Sequence, residues 1–208
     1  MSDAPPSNFT PVPLDSSKRT WLLASGCAGA VGAVALATPF VESFSPSEKA
    51  KAAGAAIEVD IAALKPGEKA TVEWRGKPVW ILRRTPEMLA SLKKTDSEVV
   101  DPNSQRSAFP TPPWAQNETR SREDHKEVLV VIGICTHLGC SPVDKFQTGA
   151  QPSLPDNWEG GFFCPCHGST FDLAGRVFKN KPAPDNLEVP PYVYLSDSKL
   201  LIGDDKKA

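Results

Sequence analysis

The order of apolar and polar residues divides the chain into an amino-terminal apolar run and a longer part built of short alternating segments. Residues 20–41 carry no charge, are dominated by Ala, Gly, Leu and Val, and follow Lys18 and Arg19. A run of that length predicts a helix able to cross a bilayer. From Ile57 the period falls to two. Ile57-Glu58-Val59-Asp60-Ile61 alternates, Pro66-Gly67 predicts a turn, residues 71–74 extend, and residues 78–82 give an apolar strand. A short helix is predicted after Thr85-Pro86-Glu87, because Met88, Leu89 and Leu92 fall on one face. Residues 127–134 form a strongly apolar strand, and short strands are predicted at 162–163, 170–171, 176–178, 192–195 and 200–202, with turns at 172–175 and 196–198. Residues 95–126 are polar with several prolines and read as a long surface loop, and residues 141–161 read as an excursion. The fold class is therefore mainly β, an antiparallel head preceded by one transmembrane helix.

The amino-terminal region adds targeting signals. Residues 1–17 are rich in Pro and Ser and read as a disordered cytoplasmic tail, and their acidic residues and lack of Arg exclude a mitochondrial transit peptide. Ser17-Lys18-Arg19-Thr20-Trp21-Leu22 looks like a twin-arginine export signal with Lys in the first basic position. The basic pair keeps the amino end on the cytoplasmic side. Ala35-Leu36-Ala37 offers a competing reading as a cleavage site, but the apolar stretch exceeds a secretory core, so residues 18–44 are expected to stay as an anchor. Ser45-Pro46-Ser47-Glu48 has the pattern of a helix start, and residues 45–56 lack apolar side chains to pin them to a core. They read as a flexible hinge, leaving residues 57–208 as the head. Cys27 receives no role beyond a small apolar thiol.

Composition narrows the function classes. With 208 residues, 40% hydrophobic content and a net charge of −2, the chain has no basic surplus for nucleic acid. Its chemistry is concentrated elsewhere. Of five cysteines and three histidines, four cysteines and two histidines lie in Cys135-Thr136-His137-Leu138-Gly139-Cys140 and Cys164-Pro165-Cys166-His167-Gly168-Ser169. The two segments together supply a Cys2His2 metal set with two thiols to spare. A structural zinc could use the same ligand types, although zinc leaves the additional matched cysteines without a task. His125 stands among charged residues and reads as solvated.

The two segments resemble, letter for letter, the C-T-H-L-G-C and C-P-C-H-G-S motifs of the Rieske iron-sulfur proteins of cytochrome bc1 complexes. The resemblance implies an antiparallel β Rieske head whose small cluster-binding part spans about residues 128–185. It implies one [2Fe-2S] cluster per subunit, held by Cys135, His137, Cys164 and His167, with a disulfide between Cys140 and Cys166. Two thiolates and two neutral imidazoles give the oxidised site no formal charge, where four thiolates give 2−, so an added electron meets less repulsion. The potentials of Rieske centres, about −150 to +300 mV against about −400 mV for plant-type clusters, are a property of the class as a whole.

The same resemblance implies a subunit of a quinol:cytochrome c oxidoreductase, a translocase. Quinol would give an electron and, through His137 or His167, a proton, and the head would swing on its hinge to pass the electron to cytochrome c1. Leu138, Gly139, Pro182 and Pro184 would dock against cytochrome b, Ser169 would donate to a bridging sulfide, and residue 171, usually Tyr in high-potential members, is Phe171. Lys181-Pro182-Ala183-Pro184 departs from the usual Gly-Pro-Ala-Pro in its first residue. The setting implied is a bacterial inner membrane, crossed once, with the head in the periplasm and the complex dimeric.

Overall fold

The computed structural model describes residues 15–47, 54–106, 109 and 111–206. The chain forms two compact units, Met1–Ala50 and Lys51–Ala208. In the first, helix α1 spans Ser16–Ser43, with Asp15 as its cap accepting from the Ser17 N–H at 3.0 Å. The helix thus begins two residues inside the stretch assigned to the tail, because Asp15 supplies the acceptor that a helix start requires. None of its residues is buried, and it is long and apolar enough to cross a membrane. Residues 48–53 of the expected hinge, including Glu48 of the predicted helix start, lie outside the described residues, as do residues 1–14 of the tail.

Among the described residues the second unit has three antiparallel three-stranded sheets. The first pairs β1 (Ile57–Asp60) with β9 (Lys199–Ile202), and β9 with β8 (Tyr192–Ser196). The second runs β2 (Lys69–Trp74), β3 (Lys77–Arg83), β4 (Val128–Ile132). The third runs β5 (Val143–Lys145), β6 (Gly161–Cys164), β7 (Ser169–Phe171). Helix α2 (Pro86–Thr95) starts where expected, with the Thr85 hydroxyl accepting from the Met88 N–H and Leu92 buried. All five residues of β4 are buried, which explains their uninterrupted apolar run. Trp80 of β3 stacks on Phe162 of β6, ring centres 5.0 Å apart, and joins the second and third sheets.

Four expectations change. The excursion at residues 141–161 contains β5, whose polar residues Asp144 and Lys145 concealed a strand with little burial. The strand expected at 176–178 is reduced to isolated bridges, Phe171 to Val177 and Val99 to Phe178. Residues 95–126 are no surface loop: Ser104, Thr111, Ala115, Thr119, Arg120 and Ser121 are all buried. The reason is electrostatic. Arg120 donates to the carbonyls of Ala174, Gly175 and Leu187, and Arg84 to those of Thr119, Leu173 and Lys126 and to the Ser121 hydroxyl. Arg176 bonds Asp172 and Asp96 at 2.8 Å each and the Leu92 carbonyl at 2.7 Å. Three buried guanidinium groups thus converge on the 172–176 turn and draw the polar segment inward. His125 is likewise half-buried, its ring stacked on Tyr194 at 3.8 Å with Glu127 3.5 Å away, so it is not simply solvated.

Candidate metal centre

Both metal-ligand segments sit on loops fixed by strands. Strand β4 runs through Gly133 and Ile134 into Cys135, and the first loop ends at Cys140 ahead of β5. The second loop is the tip of the β6–β7 hairpin, where Cys164 pairs with Ser169 and residues 165–168 form the turn. One device shapes both. The Gly139 N–H donates to the Cys135 carbonyl and the Gly168 N–H to the Cys164 carbonyl, each at 3.0 Å. Both glycines are left-handed, at φ +84° and +76°, while a Cβ at either would meet nothing within 4 Å. Glycine is therefore required by the backbone conformation and not by crowding. In the first loop the Cys135 N–H closes the turn on the Cys140 carbonyl at 2.7 Å.

The structure sorts the four thiols into two classes. Cys140 and Cys166, 26 residues apart, are joined in a disulfide that ties one loop to the other. Cys135 and Cys164 are free and buried. The Cys164 sulfur and the two disulfide sulfurs lie within 4.8 Å of one another, but the bonded pair has no thiolate to offer a metal, so this trio is not a ligand set. The rings of His137 and His167 stand edge to face with centres 4.8 Å apart. Nδ1 of His137 is buried without a hydrogen-bond partner among the described residues. Burial pushes the Cys135 thiol above its ordinary value and the neighbouring Cys164 thiol raises it further, against the lowering effect of the His137 backbone N–H and the Ser169 hydroxyl. Two thiols crowded in an apolar site and a buried imidazole nitrogen without a proton partner fit a bound metal group, which would take up all of them.

A third segment closes the site. The Ala183 N–H donates to the hydroxyl of fully buried Ser169 at 3.0 Å, and the Thr136 hydroxyl donates to the Asp185 carbonyl at 2.6 Å. Residues 182–185 are thereby joined to both ligand loops. Leu138, 70% exposed, projects from the first loop, with Gly139, His167, Pro182 and Pro184 also exposed. Phe171 is fully buried and pairs across the hairpin with Phe162. Thr136 and Asp185 were absent from the sequence-based site. A Thr between two ligands is an ordinary letter, and its acceptor is a backbone carbonyl 49 residues away.

Residues 115–192 match the Rieske [2Fe-2S] domain family. A ubiquinol-cytochrome c reductase iron-sulfur subunit from Allochromatium vinosum is 52% identical over 91% of this chain and 89% of its own. The subunit of the same description from Bradyrhizobium diazoefficiens is 41% identical over 90% of this chain and 94% of its own. A solved structure described as a hyperthermophilic respiratory Complex III aligns with 86% of this chain and 97% of its own, at 26% identity and a TM-score of 0.44. With paired ligand loops, a disulfide between them and relatives of this identity along nearly the whole chain, the protein belongs to the family of Rieske iron-sulfur subunits of ubiquinol-cytochrome c reductase.

Proposed function

We infer that this chain is the electron-carrying subunit of a bacterial cytochrome bc1 complex, taking an electron from quinol at cytochrome b and delivering it to cytochrome c1. The observation that carries the reading is the sorting of the thiols. A disulfide holds the two loops together, and what remains free is a set of two buried thiols and two imidazoles packed edge to face. Cys135 and Cys164 would bind through Sγ and His137 through Nδ1, with His167 completing the set. When bound, the [2Fe-2S] group supplies a one-electron carrier of the potential range general to Rieske centres.

The remaining work falls to the protein. An imidazole that binds metal through Nδ1 has Nε2 left to receive the proton released from quinol, so His137 or His167 is the group that accepts it. Exposed Leu138 and Gly139, with Pro182 and Pro184, form the apolar tip that meets cytochrome b. Ser169, hydrogen-bonded to Cys135, and the buried ring at 171, in the same core cluster as both free thiols, tune the centre. Helix α1 anchors the subunit by a single crossing of the inner membrane, with the head in the periplasm, where the disulfide is stable. Residues 45–56 serve as the hinge, the assembled complex is a dimer, and quinol oxidation at its surface contributes to proton translocation.

The test is extraction of the protein from membranes with its companions, reduction, and electron paramagnetic resonance. A reduced Rieske signal in a preparation that also contains cytochromes b and c1 is expected. Stoichiometric zinc with no signal, or a water-soluble form lacking α1, would overturn the assignment.

A further inference from the structure

The segment that closes the metal site has few bonds of its own. Pro182 and Pro184 have no N–H, so between residues 181 and 186 the backbone must be held by donors from elsewhere. Two of those donors and acceptors are neighbours of the ligands, Thr136 and Ser169. The third hold comes from outside the ligand loops. Arg106 donates from Nη1 to the Pro184 carbonyl at 2.6 Å, and the same atom lies 3.5 Å from the carboxylate of largely buried Asp185.

The backbone that presents Arg106 is itself fixed. The Asp101 carboxylate accepts from the N–H groups of Gln105 and Arg106 at 3.0 and 2.9 Å, closing a tight turn. Asn186, buried at the far end of the proline segment, donates to the Asp101 carbonyl at 2.9 Å and to the Ser104 hydroxyl at 3.0 Å. The turn and the segment are thus joined at two points, at Pro184 with Asp185 and at Asn186. The Asn186 join is buried, whereas the Arg106 side chain is half-exposed.

We propose that Arg106 is a positioning residue that latches the proline segment closed over the metal site, and so limits solvent access to the bound group and fixes the presentation of Pro182 and Pro184. It touches neither ligand nor thiol. Its effect passes through the Pro184 carbonyl, which a single planar guanidinium can bind while also facing the adjacent carboxylate. With the latch released, Thr136 and Ser169 still hold the segment, so opening is transient and local and the fold persists. The proposal rests on the assignment of a Rieske centre to this site.

The experiment uses the holoprotein in its detergent-solubilised complex, as wild type, Arg106→Gln and Arg106→Lys. Loss of the cluster's visible circular dichroism under an excess of iron chelator reads solvent access, and thermal unfolding reads the fold. Arg106→Gln is expected to bleach about five-fold faster at an unchanged unfolding temperature, the modest effect of one half-exposed charge-assisted contact. Arg106→Lys, which keeps the charge and one donor, is expected to fall between the two. Bleaching of Arg106→Gln at the wild-type rate would overturn the latch. So would faster bleaching that tracks a lowered unfolding temperature in both variants, because the residue would then only support the fold. A wild-type preparation with no Rieske spectrum would instead fail the assignment of the centre, a result distinct from either.

Discussion

The two ligand loops and the segment from residue 95 to 126 are both polar, rich in turns and almost free of strand, yet they are held by opposite means. Each ligand loop closes on itself: a left-handed glycine returns its N–H to the cysteine four residues earlier, and the flanking strands fix the ends. The long segment also has local turns, at Asp101 and around Asn117, but its place on the fold is fixed from a distance. Arg120 reaches carbonyls at 174, 175 and 187, and Arg84 binds the segment at 119, 121 and 126. A loop that presents a reactive group gains from local closure, because its geometry then depends on few other parts of the chain. A segment that only has to cover the fold can be held by buried charge, at the cost of placing full guanidinium groups out of water.

The largest test of that contrast removes the distant hold. In Arg120→Met the side chain still fills its space, but the carbonyls of Ala174 and Leu187 lose the guanidinium as donor, while that of Gly175 keeps the Leu187 N–H. Unfolding in urea is expected to show a loss of about 3–5 kcal/mol. The ligand loops, closed locally, are expected to keep their spectrum at temperatures where the variant remains folded. A loss below about 1 kcal/mol would mean that the carbonyls find other partners and that the guanidinium is not what draws the segment inward.

A second test acts on the loops themselves, where the disulfide is the covalent tie from one to the other. Cys140→Ser opens a bridge between cysteines 26 residues apart, expected to cost about 3 kcal/mol. It should also loosen the bound cluster, since the ligands would then be the main link between the loops. A variant with wild-type stability and an undisturbed spectrum would show that the strands and the glycine turns suffice.

The smallest expected effect concerns Phe171, the last residue of β7 in the hairpin that carries the second loop. Its ring is fully buried and has no donor to offer a neighbouring sulfur. In Phe171→Tyr a hydroxyl placed to donate to Cys135 would favour the reduced centre. One hydrogen bond of about 0.5–1.5 kcal/mol, only part of which strengthens on reduction, corresponds to a rise of roughly 20–60 mV. Protein-film voltammetry at one pH measures it. An unchanged potential together with a loss of about 1–3 kcal/mol in stability would show a buried hydroxyl without a partner, and so a ring aimed away from the sulfur.

Much of the site was legible before the fold was known. The Cys and His residues of both loops stand out by type and spacing, the resemblance implied Cys135, His137, Cys164 and His167 as the ligands, and the left-handed glycines that shape the loops lie within the same two motifs. Helix α1 was legible for a similar reason, since a long uncharged run of helix-compatible residues gives a helix long and apolar enough to cross a membrane. The strands with alternating or uninterrupted apolar residues, β1 and β4, followed from their period. Strand β5 did not, because a short strand with exposed polar side chains lacks the periodic signal that burial imposes.

What the sequence determined by itself is the chemistry and its local geometry: which atoms can bind metal, where the turns that present them fall, and which run can sit in lipid. Those features depend on residues a few positions apart, so neighbouring letters carry them. Only the tertiary structure decided which polar residues are buried. Arg84, Arg120 and Arg176 look like surface charges in the chain and lie in the interior, because their acceptors come from as many as 89 residues away. The hold of Thr136 on Asp185 and of Arg106 on Pro184 has the same origin. A carbonyl oxygen is present at every residue, so nothing in the sequence marks the few that a folded arginine will find.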